Sequence, residues 1–368
     1  MISQPSPYLQ EIEHEAKVAS EVVTRKTPQF LKTLDLVSES YLAQVLIAVW
    51  DSGLYEYVRQ HGAVEIGRAA AELGLDAEVL GSLIEYLVGR ALLKPAGAAY
   101  VLTERGESYW NYVTRGLLTS HVAGYNPLLI QLGPLLRKEI SLEDPALDRL
   151  GRLVALGASY TLSGSGMVQW VMKELERLGG SDILDLGCGA GNFLIQLALS
   201  WPQVKGVGVD MSASAIAEAR KRAQECGLLE RLSFHTATVS AQPMSLSAEV
   251  VEQVEVLTAM YMLHEFGGRG GADNISSVIA ALRRQFPGRK LLMLEGTRAN
   301  PIEMCEAPPR SFSQLDYSFI HPLSRQGPLR TPDEWQQIIE NAGAKLLDRI
   351  PGFKLVASWI SMYIVGLD

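Results

Sequence analysis

The stretch ILDLGCGAGNFL, residues 183–194, decides the fold because it joins an apolar run to a glycine-rich turn and then to a helical pattern. Three glycines, Gly187, Gly189 and Gly191, occupy alternate positions of this turn, and Asp185 stands two residues before the first. Glycine permits a tight turn and lets a ligand approach the backbone. A strand, a glycine turn and a helix in this order predict the first unit of an α/β fold with a ligand at the turn.

Short apolar runs alternate with helical patterns from residue 181 to the end of the chain. This alternation predicts a doubly wound, mostly parallel, seven-stranded Rossmann-like sheet. The last two runs, AKLLDRI and ASWISMYIVG, have no helix between them and predict an antiparallel hairpin. The segment TPDEWQQIIENAG predicts a helix with Thr331 as its N-cap.

The first 115 residues are mainly helical and end in a short hairpin pattern, LLKPAGAAYVL. Helix, turn, helix and hairpin form the outline of a winged helix. We therefore predict a winged-helix-like domain over residues 1–115, a helical segment lining the substrate cavity over 116–175, and a ligand-binding domain over 176–368.

Charge and composition restrict the function classes. Hydrophobic residues make up 47% of the chain and the net charge is −8, so a sizeable core is expected and nucleic-acid binding is not. The most apolar stretch, YLAQVLIAVW, is too short to span a bilayer. The N-terminus lacks a signal-peptide pattern, and the three cysteines lack metal-type spacing, which favours a cytoplasmic protein.

The chemistry around the glycine turn narrows the choice of ligand. The dinucleotide-binding motif G-x-G-x-x-G has its third glycine at the position where this chain has Asn192. The negative charge of Asp185 would also repel a pyrophosphate. Asp210, which ends the second apolar run, is placed to accept both hydroxyls of a ribose. An adenosine ligand with a positive charge and no phosphate fits, and this describes S-adenosylmethionine (SAM). The alternative is a tight turn without a ligand.

The motif D-x-G-x-G-x-G followed by Asp210 resembles the class I SAM-dependent methyltransferases over about residues 180–368. Together with the acidic winged-helix pattern, it resembles the small-molecule O-methyltransferase family of natural-product pathways, which has an N-terminal dimerisation domain. The resemblance implies a small-molecule acceptor and a homodimer. It suggests that the apolar helical stripe Leu42, Val45, Leu46 and Val49 is buried between subunits, and the alternative is burial of this stripe inside its own domain. Thr238 occupies the position after the third strand where members of this family usually have an acidic residue near the adenine of SAM.

The segment LHEF places His264 directly after the fourth predicted strand. It matches the family's L-H-D-W-like motif, with Glu265 and Phe266 in place of Asp and Trp, and the match implies that His264 is the catalytic base. The resemblance also assigns Glu295, at the end of the fifth strand, to orienting that histidine. The alternatives are a histidine satisfied within the core and an exposed strand-end acid.

His321, in SFIHPLS, is predicted in a pocket loop before the long C-terminal helix and opens a second mechanism. The related bacterial α-keto acid C-methyltransferases bind a metal through two histidines. His264 and His321 can form such a pair, holding a divalent or ferric ion that stabilises an enolate. Both mechanisms stay open, and the LHEF motif favours O-methylation.

Other residues are weaker candidates for the acceptor site. They are His121, Tyr125, Arg137, Arg149, Arg152, Tyr160 and Trp170. Two further functions also stay open, a SAM-sensing winged-helix regulator and a scaffold subunit that assists a partner enzyme.

Overall fold

The structure is a computed structural model of the chain. It describes residues 28–142, 144, 166–268, 271–298, 300, 302, 312–324, 326–352 and 359–368. The chain divides into two compact units between Glu107 and Ser108.

The first unit is helical with one small hairpin. Its elements are α1 (Pro28–Asp51), α2 (Leu54–His61), α3 (Ile66–Leu73), α4 (Ala77–Gly89), β1 (Leu93–Ala96), β2 (Ala99–Leu102) and the start of α5 (Glu104–Tyr109). The side chains of Glu65 and Asp76 accept backbone N–H groups at the starts of α3 and α4. The order of helix, turn, helix and hairpin follows the sequence pattern, while the winged-helix assignment stays a prediction.

The apolar stripe expected between subunits is packed inside this chain. Leu42, Leu46 and Val49 are at most 1% exposed and Val45 is half-buried within this chain alone, so the prediction that the stripe is buried between subunits is wrong. An amphipathic pattern identifies a buried side without saying what covers it. A different set on α1 faces outward with at least 50% exposure: Leu31, Leu34, Val37 and Tyr41.

The second unit contains the seven-stranded sheet. Its helices before the sheet are α6 (Tyr112–Leu117), a π-helical stretch (Leu118–Gly124), α7 (Asn126–Leu129), α8 (Leu132–Leu136) and α9 (Met167–Leu178). The strands are β3 (Asp182–Leu186), β4 (Lys205–Asp210), β5 (Leu232–Thr236), β6 (Val256–Met260), β7 (Lys290–Gly296), β8 (Lys345–Pro351) and β9 (Ile360–Gly366). The helices among them are α10 (Asn192–Ser200), α11 (Ala213–Glu225), α12 (Ala248–Gln253), a 3₁₀ turn (Leu263–Gly267), α13 (Gly271–Gln285), α14 (Phe312–Leu323) and α15 (Pro332–Asn341).

The strand order is β5-β4-β3-β6-β7-β9-β8. The first five strands are mutually parallel, and β9 lies antiparallel between β7 and β8. The predicted fold class and the predicted C-terminal hairpin are therefore confirmed. Because the chain order reverses beside β3, the ends of β3, β4 and β6 border the crevice where ligands bind in such sheets.

Apolar layers cover both faces of the sheet. Ile183 packs with α9, α10 and α11, whereas Leu184 packs with α13 and α15 on the opposite face. This alternation follows from the two-residue period of a strand.

In the described part of the chain, no helix combines the length and apolar character needed to cross a membrane.

Candidate functional site

The glycine turn connects β3 to α10 in a left-handed backbone conformation. Gly187, Gly189 and Gly191 have φ angles of +68°, +53° and +74°. A Cβ atom at Gly187 would lie 2.6 Å from Met262 Cγ, and one at Gly191 would lie 2.8 Å from Phe234 Cε1. Glycine is thus required here both by the backbone conformation and by close packing.

Asp185 lies on β3 just before the turn and is 2% exposed. Its Oδ1 accepts a hydrogen bond from Thr258 Oγ1 on the neighbouring strand β6, at 2.7 Å. Burial raises the pKa of Asp185 to about 7, the Thr258 hydrogen bond opposes the rise, and repulsion from Asp210 adds to it. The carboxyl group is therefore sensitive to any charge placed at the turn.

Asp210 ends β4 and contacts the glycine turn directly. Its Oδ2 accepts the Gly189 N–H at 3.0 Å, and its Oδ1 accepts the Ser212 N–H at 2.8 Å. A carboxylate oxygen accepts more than one hydrogen bond, so both oxygens retain capacity for ribose hydroxyls. Thr238 lies at the same edge of the sheet, because Thr236 at the end of β5 pairs with Asp210.

His264 and Glu295 form a buried pair where β6 and β7 end. His264 Nδ1 lies 2.7 Å from Glu295 Oε2, and the backbone N–H groups of Leu263 and His264 donate to Glu295 Oε1. Burial by itself lowers the pKa of His264, but the charge and hydrogen bond of Glu295 outweigh burial and the pKa is raised. The exposed strand-end position that sequence left open for Glu295 does not occur, since its side chain is fully buried.

His321 lies beside His264, as the two-histidine hypothesis requires. It belongs to helix α14, not to a loop, so that part of the prediction is wrong. The two rings stack with centroids 4.8 Å apart and planes 9° apart. Imidazole nitrogens are suitable metal donors. However, lone pairs in near-parallel planes do not converge on one ion, so metal binding requires one ring to turn.

No set of three or more His, Cys, Asp or Glu side chains suited to holding a metal ion occurs among the described residues.

Glu265 takes part in a polar network that sequence reasoning missed. Gln326 Nε2 donates to Glu265 Oε1 at 3.2 Å, while Gln326 Oε1 accepts from Tyr125 and from Ser324, each at 2.9 Å. Gln326 belongs to no recognisable motif, so sequence carries no signal for this contact. Tyr125, a weak sequence candidate, is thereby linked to the turn that carries His264.

Aromatic rings extend the site away from His264. Tyr317 packs edge-on against both His321 and His121, with centroid distances of 4.9 and 4.6 Å. Burial lowers the pKa of His121 to about 4 and raises that of Tyr317 to about 12. His121 is therefore neutral at physiological pH, and this side of the site favours uncharged groups.

Of the remaining sequence candidates, the structure describes two, and both make contacts elsewhere. Arg137 pairs with Glu139, and both side chains are more than half exposed. Trp170 packs into the core on α9. The three other candidates, Arg149, Arg152 and Tyr160, lie outside the described residues.

A mostly parallel sheet with this strand order, a glycine turn after β3 and an acid ending β4 define the Rossmann-like SAM methyltransferase class. Residues 179–343 match a family model described as a methyltransferase domain.

Three known proteins illustrate the similarity. A 2-ketoarginine methyltransferase of Streptomyces arginensis is 26% identical over 323 residues, 87% of this chain and 90% of that protein. The methyltransferase ungE' of Aspergillus campestris is 28% identical over 266 residues, 71% of this chain and 75% of that protein. Human N-acetylserotonin methyltransferase in complex with SAM superposes with a TM-score of 0.63 at 17% identity, covering 92% of this chain and 98% of that one. The chain is a SAM-dependent methyltransferase.

Proposed function

We propose that this enzyme transfers the methyl group of SAM to an oxygen atom of a small-molecule acceptor, with His264 as general base. The observation that carries the proposal is the 2.7 Å contact between His264 Nδ1 and Glu295 Oε2. A carboxylate that accepts the Nδ1–H fixes the imidazole orientation and tautomer and stabilises the imidazolium. Nε2 is then left with the lone pair that takes the acceptor proton.

The reaction needs little beyond alignment and proton removal. Asp185, the three glycines and Asp210 hold the cofactor, with Thr238 at the adenine end of the same site. The acceptor hydroxyl loses its proton to His264 Nε2 as its oxygen bonds to the methyl carbon, while the carbon–sulfur bond breaks to leave S-adenosylhomocysteine (SAH). Alignment of the oxygen, carbon and sulfur atoms accounts for much of the rate.

Substitution of the base tests this function. We expect His264→Ala to lower kcat by roughly 10²–10⁴ because proton removal is lost, and to leave SAM affinity nearly unchanged. His235→Ala is the matched control, since His235 is an exposed histidine on β5 of the same unit. Turnover by His264→Ala at the wild-type rate would refute the general-base role.

A second candidate is methylation of a small 2-oxo acid at carbon. The side-by-side arrangement of His264 and His321 favours it, and so does the similarity to a 2-ketoarginine methyltransferase over most of both chains. His264 and His321 would hold a divalent or ferric ion, with His321 turning because Glu295 fixes His264. Such an ion acts as a Lewis acid on the keto oxygen.

Chelation and the His321→Ala variant distinguish the two chemistries. If His264 is the general base of an O-methylation, a chelator has no effect on turnover. His321→Ala then lowers turnover much less than His264→Ala does. Carbon methylation predicts similar inactivity for both variants, loss of bound metal from both, and recovery of chelated wild type on adding metal. The methylated product, identified by mass spectrometry and NMR, provides an independent assignment.

We also propose that the N-terminal unit serves dimerisation, with no role for nucleic acid or membrane. The unit's acidic charge between residues 51 and 112 disfavours phosphate binding. The exposed stripe of Leu31, Leu34, Val37 and Tyr41 is the surface that we assign to the second copy.

A further inference from the structure

Thr258 is the polar neighbour of Asp185 at the centre of the sheet. The parallel register of β3 and β6 pairs the two residues, and Thr258 Oγ1 donates to Asp185 Oδ1 at 2.7 Å. On the other side of Asp185, the register with β4 places Gly208, which has no side chain. Thr258 is fully buried, so its hydroxyl group needs a partner within the unit. The hydrogen bond from Thr258 therefore fixes the orientation of the Asp185 carboxyl group.

The second carboxylate oxygen, Asp185 Oδ2, is available to a ligand. Within the described part of the chain, the carboxyl group accepts no hydrogen bond other than that from Thr258, and it forms no ion pair. The nearby charge of Asp210 is also negative. A buried carboxylate without a basic partner is costly unless a ligand supplies positive charge. Oδ2 is therefore suited to a cationic hydrogen-bond donor at the glycine turn.

The strand order indicates which end of SAM lies at Asp185. The proposed function assigns Asp210, at the end of β4, to the ribose and His264, after β6, to the reacting methyl group. Strand β3 lies between β4 and β6, so SAM extends from the ribose across β3 toward His264. The amino-acid part of SAM is attached to the same sulfur as the reacting methyl group, which places this part on the side of β3 and β6. Its ammonium group can donate to a carboxylate oxygen, whereas the sulfonium sulfur carries no hydrogen to donate.

We propose that Thr258 is a positioning residue that holds Asp185 so that its Oδ2 accepts a hydrogen bond from the ammonium group of SAM. The inference rests on the proposed function, because that function places the ribose at Asp210 and the methyl group at His264. Burial raises the pKa of Asp185 to about 7, and the hydrogen bond from Thr258 opposes this rise. Without the hydroxyl group, the carboxyl group is both less fixed and less ionised. SAM and SAH share the amino-acid part, so the role applies to both ligands.

Calorimetric titration of the full chain with SAM, SAH and 5′-methylthioadenosine, in the absence of acceptor, tests the proposal. Methylthioadenosine keeps the adenosine part and lacks the amino-acid part. Thr258→Val keeps the branched shape and removes the hydroxyl group, so SAM and SAH affinities should each fall about 5- to 10-fold and methylthioadenosine affinity should change less than about 2-fold. Thr258→Ser keeps the hydroxyl group and should retain the wild-type affinity for all three ligands. Thr258→Ala, which also lacks the hydroxyl group, carries the test if Thr258→Val does not fold.

Ser276→Ala is the matched control, because Ser276 is another buried residue whose hydroxyl group makes a hydrogen bond, to the Ile338 carbonyl at 2.9 Å. It should leave the affinities for all three ligands unchanged. An equal loss of methylthioadenosine affinity in Thr258→Val, or unchanged affinities for SAM and SAH, would overturn the positioning role.

Asp185→Asn separates this inference from the proposed function. If Asp185→Asn binds SAM as tightly as wild type does, the assignment of Asp185 to the cofactor is wrong, and the role of Thr258 falls with it. A loss of SAM affinity in Asp185→Asn without a loss in Thr258→Val refutes the role of Thr258 alone. Since no acceptor is present, none of these results depends on His264 as the base.

Discussion

At Gly191, two separate constraints act on one residue. Its φ angle is +74°, and a Cβ atom there would lie 2.8 Å from Phe234 Cε1 and 2.9 Å from Ala219 Cβ. We expect Gly191→Ala to lower the free energy of unfolding by about 2–4 kcal/mol, the sum of left-handed strain and overpacking.

Gly227 separates these two effects. It has a φ angle of +67° in the same unit, and no atom lies within 4 Å of its added Cβ. Gly227→Ala should therefore cost only about 1–2 kcal/mol in urea denaturation. Equal losses in the two variants would mean that packing against Phe234 contributes nothing.

Asp185 makes stability depend on pH in a defined direction. Burial raises its pKa to about 7 in the folded chain, so the folded state binds this proton more tightly than the unfolded state. The stabilisation is present at low pH and is lost as pH rises through 7. Between pH 5 and pH 8, wild type should lose about 2–3 kcal/mol more stability than Asp185→Asn, whose side chain does not titrate. Parallel pH profiles for the two proteins in chemical denaturation would contradict this assignment.

At the scale of the element, α15 has the start that its sequence predicts. Thr331 Oγ1 accepts the Glu334 N–H, and Glu334 Oε2 accepts the Thr331 N–H at 2.7 Å, forming a capping box. The helix buries Trp335, Ile338 and Ile339 in the core. Thr331→Ala should thus destabilise the folded unit by about 1 kcal/mol, measured as a lower midpoint of thermal unfolding.

Ser247→Ala provides the comparison, because Ser247 caps the short helix α12, which has no fully buried side chain. Loss of the Ser247 cap should affect only α12, so Ser247→Ala should lower the midpoint of thermal unfolding less than Thr331→Ala does. An equal decrease would show that capping strength alone, without core burial, sets the cost.

Helix α14 illustrates why one element was misplaced. Pro322 within SFIHPLS favours an irregular segment, because proline removes a backbone donor. In the structure Pro322 lies one residue before the helix end, where few helical hydrogen bonds follow it. The helix therefore continues through His321, and residues four apart share one side. This places Tyr317 and His321 in ring contact and directs His321 toward His264.

For the whole molecule, the exposed stripe on α1 is the feature that bears on assembly. Leu31, Leu34, Val37 and Tyr41 recur at helical spacing, and contiguous exposed apolar side chains are typical of interaction surfaces. We expect a homodimer by light scattering at micromolar concentration, since two-fold pairs dominate soluble oligomers. Leu34→Glu should give the mass of one chain, because burying a charge in an apolar interface is costly.

Lys32→Glu is the control for this variant, as Lys32 is an exposed polar residue on the same helix, outside the stripe. It should retain the wild-type mass. A single-chain mass for the wild-type protein would exclude the proposed dimer.

Sequence alone determined the class of sheet, the glycine turn, the acids at the ends of β3 and β4, and the position of His264 after β6. These features depend on periodicity and turn chemistry within a few contiguous residues, and parallel strands bring such ends to one edge. The tertiary structure decided what packs against them. Gln326 meets Glu265 from 61 positions away, His321 stacks on His264, and the stripe of Leu42 is covered by its own chain. Contacts of this kind depend on how distant segments pack, which no local pattern encodes.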